Sequence, residues 1–194
     1  MLRLLFNDTK ETKLSGKCRF NIPQKLFFSS AKSLHLQQIS INIMAGIYIH
    51  IPFCKTRCIY CDFYSTTRSE LKQHYIRALC QELQTRKDYL KEEPVETIYF
   101  GGGTPSQLAE EDFKEVFKAI GEVYGLRAAE EITLEANPDD LTEEYVSMLR
   151  TLPFNRISMG IQTFDDPTLK LLNRRHDAVQ ACLLYTSPSP RDCS

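Results

Sequence analysis

No stretch of this chain approaches the roughly 20 consecutive apolar residues that a membrane-spanning helix needs, so no membrane span is expected. The opening MLRLLFNDTKETK is apolar only until Asn7 and Asp8, and it lacks the apolar region and small-residue cleavage site of a secretory signal. Nor is one sign of charge in excess. The formal net charge is −1, with no global basic field for nucleic acid and no acidic block for a solvated tail. The fingerprint of a dinucleotide-binding fold is missing as well. What remains is an ordinary soluble globular composition, 42% hydrophobic and 25% charged over 194 residues, enough for one domain or part of a larger one. A cytoplasmic location is expected.

Cysteine is the exception to this plainness. Seven are present, an odd number, and Cys54, Cys58 and Cys61 fall within eight residues. Cytosolic thiols stay reduced, so a tight cluster there reads as a metal or cofactor site before it reads as a disulfide framework.

Three segments differ in character. Residues 1–43 mix Lys, Ser, Asn and Gln with scattered Leu and Phe and hold no sustained period, which reads as a mis-assigned leader ahead of Met44. Residues 182–194 break a helical pattern with two prolines among serines, and they resemble the translation of a transposon-type sequencing adapter. Between them, residues 44–181 alternate. Strands are predicted at 46–51, 95–100, 130–136 and 156–164. Helices are predicted from about Glu70 to Lys91, through Phe113 and Tyr124 to a stop at Gly125, from Leu141 to Leu149, and from about Asp166. Cys80 lies on the apolar side of the first helix and reads as core.

Four βα units imply an α/β protein with a parallel sheet. An incomplete (β/α) barrel would place its site at the carboxyl ends of the strands. A doubly wound open sheet would place ligands at the same edge. The cysteine loop, the Gly101-Gly102-Gly103 run, Glu135 and Gln162 all fall at or just after strand ends. Four units cannot close a barrel, and their unpaired edges predict a chain that folds poorly alone and turns nothing over.

In Cys54-Lys-Thr-Arg-Cys58-Ile-Tyr-Cys61, three thiolates could hold a cubane that normally takes four. One iron would then be open to a ligand. Lys55 and Arg57 favour thiolate over thiol and offset the anionic cluster. Two other readings stand beside this one. A structural zinc could use the three cysteines with His50, although such ligands usually come as two spaced pairs. Three unligated cysteines could be small buried hydrophobes, although this loop is polar and charged.

The stretch Tyr48-Ile-His50-Ile-Pro52-Phe-Cys54-x3-Cys58-x-Tyr60-Cys61 resembles the radical-SAM signature. More narrowly it is similar to the family that unites oxygen-independent coproporphyrinogen III oxidases with the heme chaperone HemW, over roughly residues 44–181. The resemblance implies a 4Fe–4S cluster on Cys54, Cys58 and Cys61. It also implies S-adenosylmethionine (SAM) bound at the open iron and cleaved there by one electron. Gly102, Gly103 and Thr104 match the family's SAM-amino turn, and Tyr48, Glu135, Gln162 and Arg174 match side-chain contacts to SAM. Tyr60 matches a contact made mainly through its backbone. Without the resemblance these would read as a plain turn, a strand aromatic, a solvated carboxylate and ordinary loop residues. Family members that oxidise coproporphyrinogen carry a further cysteine two residues after the third ligand, where this chain has Phe63, as in the chaperone branch. Heme or porphyrin, a reductant such as flavodoxin or ferredoxin, and a heme-acceptor protein are the implied partners.

Overall fold

The computed structural model describes residues 2–6, 45–90 and 93–186. Five strands form one sheet in chain order: β1 (Leu2–Phe6), β2 (Ala45–Ile51), β3 (Val95–Gly102), β4 (Glu131–Ala136) and β5 (Arg156–Met159). From β2 to β5 every pairing is parallel. Helices α1 (Lys72–Thr85), α2 (Glu110–Val123) and α3 (Glu143–Leu149) carry the chain back between strands. Helices α4 (Asp166–Leu171) and α5 (Ala178–Thr186) follow β5. This is the α/β architecture of four successive βα units, open at β5.

Period-two alternation sorts the two faces of the sheet. Ile47, Ile49 and Ile51 of β2, Ile98 and Phe100 of β3, and Ile132 and Leu134 of β4 are all buried on one face. They pack with Ile76, Leu79 and Leu83 of α1 and with Phe113, Val116 and Ile120 of α2 into one core. Phe100, Phe113, Phe117 and Phe154 meet edge-on or tilted, with ring centroids 5.1–5.8 Å apart. That geometry suits the ring quadrupoles. On the opposite face stand Tyr48, His50, Tyr99, Glu135 and Ser158, so the polar residues of the strands share one side and converge at the carboxyl ends.

Several boundaries differ from the sequence reading, each for a visible reason. Helix α1 ends at Thr85, well short of Lys91, because the Tyr124 hydroxyl takes the Arg86 carbonyl at 2.8 Å. The buried Leu90 that extended the apparent period lies in the turn that follows. Strand β5 stops at Met159 because the carbonyl of Gly160 is taken by the Arg174 guanidinium and Gln162 adopts a left-handed backbone. Helix α3 starts after Thr142, whose side chain accepts from the Tyr145 amide.

Within residues 1–43, assigned no element from the sequence, Leu2–Phe6 pairs antiparallel with β2, Leu2 opposite Ile49. It caps an edge of unpaired backbone groups. The rest of residues 1–43 and residues 187–194 lie outside the described residues. Helix α5 continues across the expected boundary at 182. Among the described residues no helix is long and apolar enough to cross a membrane.

Candidate functional site

Each strand exit contributes one wall of a cleft of about 370 Å³ at the carboxyl edge of the sheet. The loop after β2 brings Cys54, Cys58, Tyr60, Cys61 and Phe63. The exit of β3 brings Gly102, Gly103 and Thr104, that of β4 brings Glu135 and Asn137, and that of β5 brings Ser158 and Gln162. Arg174 and Arg175 close the cleft from the segment after α4.

The cysteine loop is tied down by backbone bonds. Cys54 N donates to Thr66 O at 2.9 Å, and Thr66 N donates to Pro52 O at 2.7 Å. The glycine run follows the same path, with Gly103 N on Ile51 O at 2.8 Å and Thr104 N on Phe53 O at 2.9 Å. Glycine is required here for two separate reasons. Gly102 has φ +113°, and a Cβ there would collide with the His50 ring. At Gly103 a Cβ would lie 2.9 Å from the Pro52 backbone and 3.0 Å from Cys54 Sγ, so the turn can lie against the first thiol only without a side chain.

One ion pair and one side-chain hydrogen bond hold the loop from the other side. Lys55 Nζ reaches Asp140 Oδ1 at 3.1 Å, and Asn173 Nδ2 donates to Arg57 O at 2.8 Å. Asp140 is buried and also accepts from Ser106 Oγ and Gln107 Nε2, both at 2.7 Å, and from Arg175. Arg175 further pairs with Asp139 at 2.7 Å.

Glu135 is fixed by both oxygens: Tyr99 Oη donates to Oε1 at 2.6 Å and Gly102 N donates to Oε2 at 3.1 Å. Burial, and then the bond to Glu135, pushes the Tyr99 phenol up to about 12, so it remains a donor. Tyr48 is outside the lining of the cleft. It stacks on Tyr99 with centroids 5.9 Å apart, beneath Gly101. Gln162 holds φ +71°, a left-handed backbone that costs a non-glycine residue about 1–3 kcal/mol and concentrates at functional sites.

Arg174 NH1 donates toward Cys58 Sγ at 3.4 Å, and Thr104 Oγ1 donates toward Cys54 Sγ at 3.4 Å. Burial pushes the Cys54 thiol up, Thr104 draws it down, and the neighbouring Cys61 and Cys58 raise it again. The Tyr60 phenol is raised by burial and then by Cys58. All three cysteines are free. His50 Nε2 instead faces Tyr64 O at 2.9 Å.

Among the described residues no three His, Cys, Asp or Glu side chains are arranged to hold one metal ion. Cubane ligands each bind a different iron and need not converge on one point. The donor set fits such a group together with a zwitterionic ligand. Three free thiols face one cleft, two receive donors at sulfur, and the buried Nε of Arg174 has no hydrogen-bond partner. Sequence reasoning missed Tyr99, Asn137 and Asp140, which carry no motif of their own, and met Arg175 only as the neighbour of Arg174 in the same match.

Comparison with known proteins shows the family. The sequence model described as the Radical SAM superfamily matches residues 48–182. The heme chaperone HemW of Lactococcus lactis is 42% identical over 134 residues, 69% of this chain and 34% of that protein. HemW of Bacillus subtilis is 39% identical over 135 residues, 69% of this chain and 36% of that protein. The chain therefore spans about a third of the length of these relatives. Among solved structures, coproporphyrinogen III oxidase (HemN) from Escherichia coli, a radical SAM enzyme, superposes with a TM-score of 0.65 at 31% identity, covering 73% of this chain and 33% of HemN. With the family match spanning more than half its length and the cysteine loop, glycine turn and strand exits gathered on one cleft, this chain belongs to the radical SAM superfamily.

Proposed function

We propose that residues 44–181 are the N-terminal part of the radical SAM core of a HemW-like heme chaperone. In this reading the protein holds a 4Fe–4S cluster on Cys54, Cys58 and Cys61, binds SAM beside it, and in full length binds heme for delivery to an acceptor protein. The observation that carries the chaperone reading is Phe63. It stands two residues after Cys61, where the coproporphyrinogen oxidases have a further cysteine, and it is 62% exposed at the mouth of the cleft. The HemW relatives support the same branch.

When bound, the cluster would supply an iron with an open coordination position and one electron for a sulfonium ligand. The protein's own groups do the rest. The glycine turn leaves backbone close to the first thiol, so a ligand amino group can approach. Glu135, held by Tyr99 and Gly102, presents a fixed carboxylate to that amino group. Arg174, with Nε unpaired, offers a donor to a ligand carboxylate. A reductant such as flavodoxin or ferredoxin would deliver the electron at the exposed cysteine loop.

Likeness to HemN favours a second reading, an oxygen-independent coproporphyrinogen III oxidase. Heme titration of the reconstituted full-length protein separates the two. Saturable heme binding without turnover of coproporphyrinogen III is the expected result. No heme binding, with oxidative decarboxylation of coproporphyrinogen III under anaerobic reducing conditions, would refute the chaperone reading.

A further inference from the structure

One polar side chain in the cleft bonds at both ends yet touches no thiol. Asn137, at the exit of β4, accepts at Oδ1 from Arg174 NH2 at 2.8 Å and donates from Nδ2 to Thr104 Oγ1 at 3.5 Å. Its two partners are the same two residues that donate toward the cysteine sulfurs, Arg174 to Cys58 and Thr104 to Cys54. A chain of hydrogen bonds thus runs from one sulfur to another across three segments far apart in sequence.

The direction of every proton in this chain follows from donor chemistry. An arginine guanidinium has no acceptor, so the carboxamide must turn its oxygen to Arg174. The amide nitrogen is then left facing Thr104 and can only donate. A hydroxyl that receives a hydrogen bond at oxygen is free to give its own proton elsewhere, and the acceptor within reach is Cys54 Sγ. Asparagine is the residue that satisfies both ends. Aspartate has the same shape but only accepts, so it would draw the Thr104 proton away from Cys54.

We propose that Asn137 is a positioning residue for the cluster: it orients the Thr104 hydroxyl and the Arg174 guanidinium onto two of the three thiolates and thereby raises the cluster's reduction potential. Hydrogen bonds to ligating sulfurs stabilise the more negative, reduced state, and such neighbours tune metal sites without touching the metal. This inference rests on the cluster reading above, and on nothing about heme.

The test is an anaerobic redox titration of the reconstituted full-length protein, with the reduced cluster followed by electron paramagnetic resonance. Asn137→Asp is expected to shift the midpoint to a more negative value at unchanged iron and sulfide content. Thr104→Val is expected to shift it in the same direction, and Thr104→Ser, which keeps the hydroxyl, to restore it. A wild-type midpoint in either Asn137→Asp or Thr104→Val overturns the inference and leaves the cluster reading standing. If Asn137→Asp assembles no cluster, the Thr104 pair decides alone: equal midpoints in Val and Ser overturn the proposal. Wild-type protein that takes up zinc and no iron–sulfur cluster overturns the cluster reading and this inference with it.

Discussion

Replacing Asp140 by asparagine tests the clamp on the cysteine loop. In the native protein Oδ2 accepts from Ser106 and Gln107, both at 2.7 Å, and Oδ1 accepts from Lys55 and Arg175, both at 3.1 Å. The carboxylate side chain is 3% exposed. Asparagine keeps one acceptor oxygen and puts an amide donor where the other stood, facing two donors. Hydrogen bonds to a charged group contribute about 1.5–3 kcal/mol each. Removing one partner of a buried pair costs about 3–5 kcal/mol. The Lys55 share is small, because its side chain is 56% exposed and such pairs contribute about 0–1 kcal/mol. Arg175 also keeps Asp139 at 2.7 Å, which lowers the cost further. The expected loss for D140N is therefore about 2–4 kcal/mol. Urea unfolding of the full-length protein under anaerobic conditions, followed by circular dichroism, measures it. A loss below about 0.5 kcal/mol, the range of an ordinary surface change, would refute the clamp. The same substitution should alter the response to acid. Burial raises the Asp140 carboxyl, but donation from Ser106, Arg175 and Lys55 outweighs it and holds the group below its usual range. A depressed carboxyl stabilises the fold fully above its unfolded pKa of about 3.9, and that stabilisation is lost as pH falls from there toward the native value. Wild type should thus lose more stability than D140N as the pH drops below about 4, and parallel curves would show that the carboxylate charge contributes nothing.

Two further substitutions probe the cleft directly. Gly103→Ala places a Cβ 2.9 Å from the Pro52 backbone and 3.0 Å from Cys54 Sγ, so it should cost about 1–3 kcal/mol and lower the iron and sulfide bound after reconstitution; normal content would show that the turn has room to yield. Tyr99→Phe removes the 2.6 Å bond to Glu135, with an expected loss of about 1 kcal/mol in stability and up to about tenfold in SAM affinity by calorimetry; unchanged affinity would mean that Gly102 alone fixes the carboxylate.

The strand alternation was legible because each strand writes its two faces locally. Ile47, Ile49 and Ile51 against Tyr48 and His50 is a pattern that needs no partner to be seen. The ends of elements were less legible, because other parts of the chain decide them. Helix α1 stops where Tyr124, 38 residues on, takes the Arg86 carbonyl. Strand β5 stops where Arg174 takes the Gly160 carbonyl. Leu90 fits a helical period as well as it fits the buried turn it occupies, so the period alone extended α1 too far. Likewise the two adjacent arginines differ only in what faces them: Arg174 turns to Cys58 and Asn137, and Arg175 to Asp139 and Asp140.

By itself the sequence determined what is encoded within a few residues: the thiol spacing from Cys54 to Cys61, the glycine turn after β3, and the βα alternation that sends all strand ends to one edge. Only the tertiary structure decided which polar groups meet there. Asn137 and Asp140 belong to no motif, and Arg174 lies 116 residues from the Cys58 sulfur it faces. The physical reason is that side-chain hydrogen bonds depend on position in space, whereas backbone periodicity and ligand spacing are set by covalent neighbours.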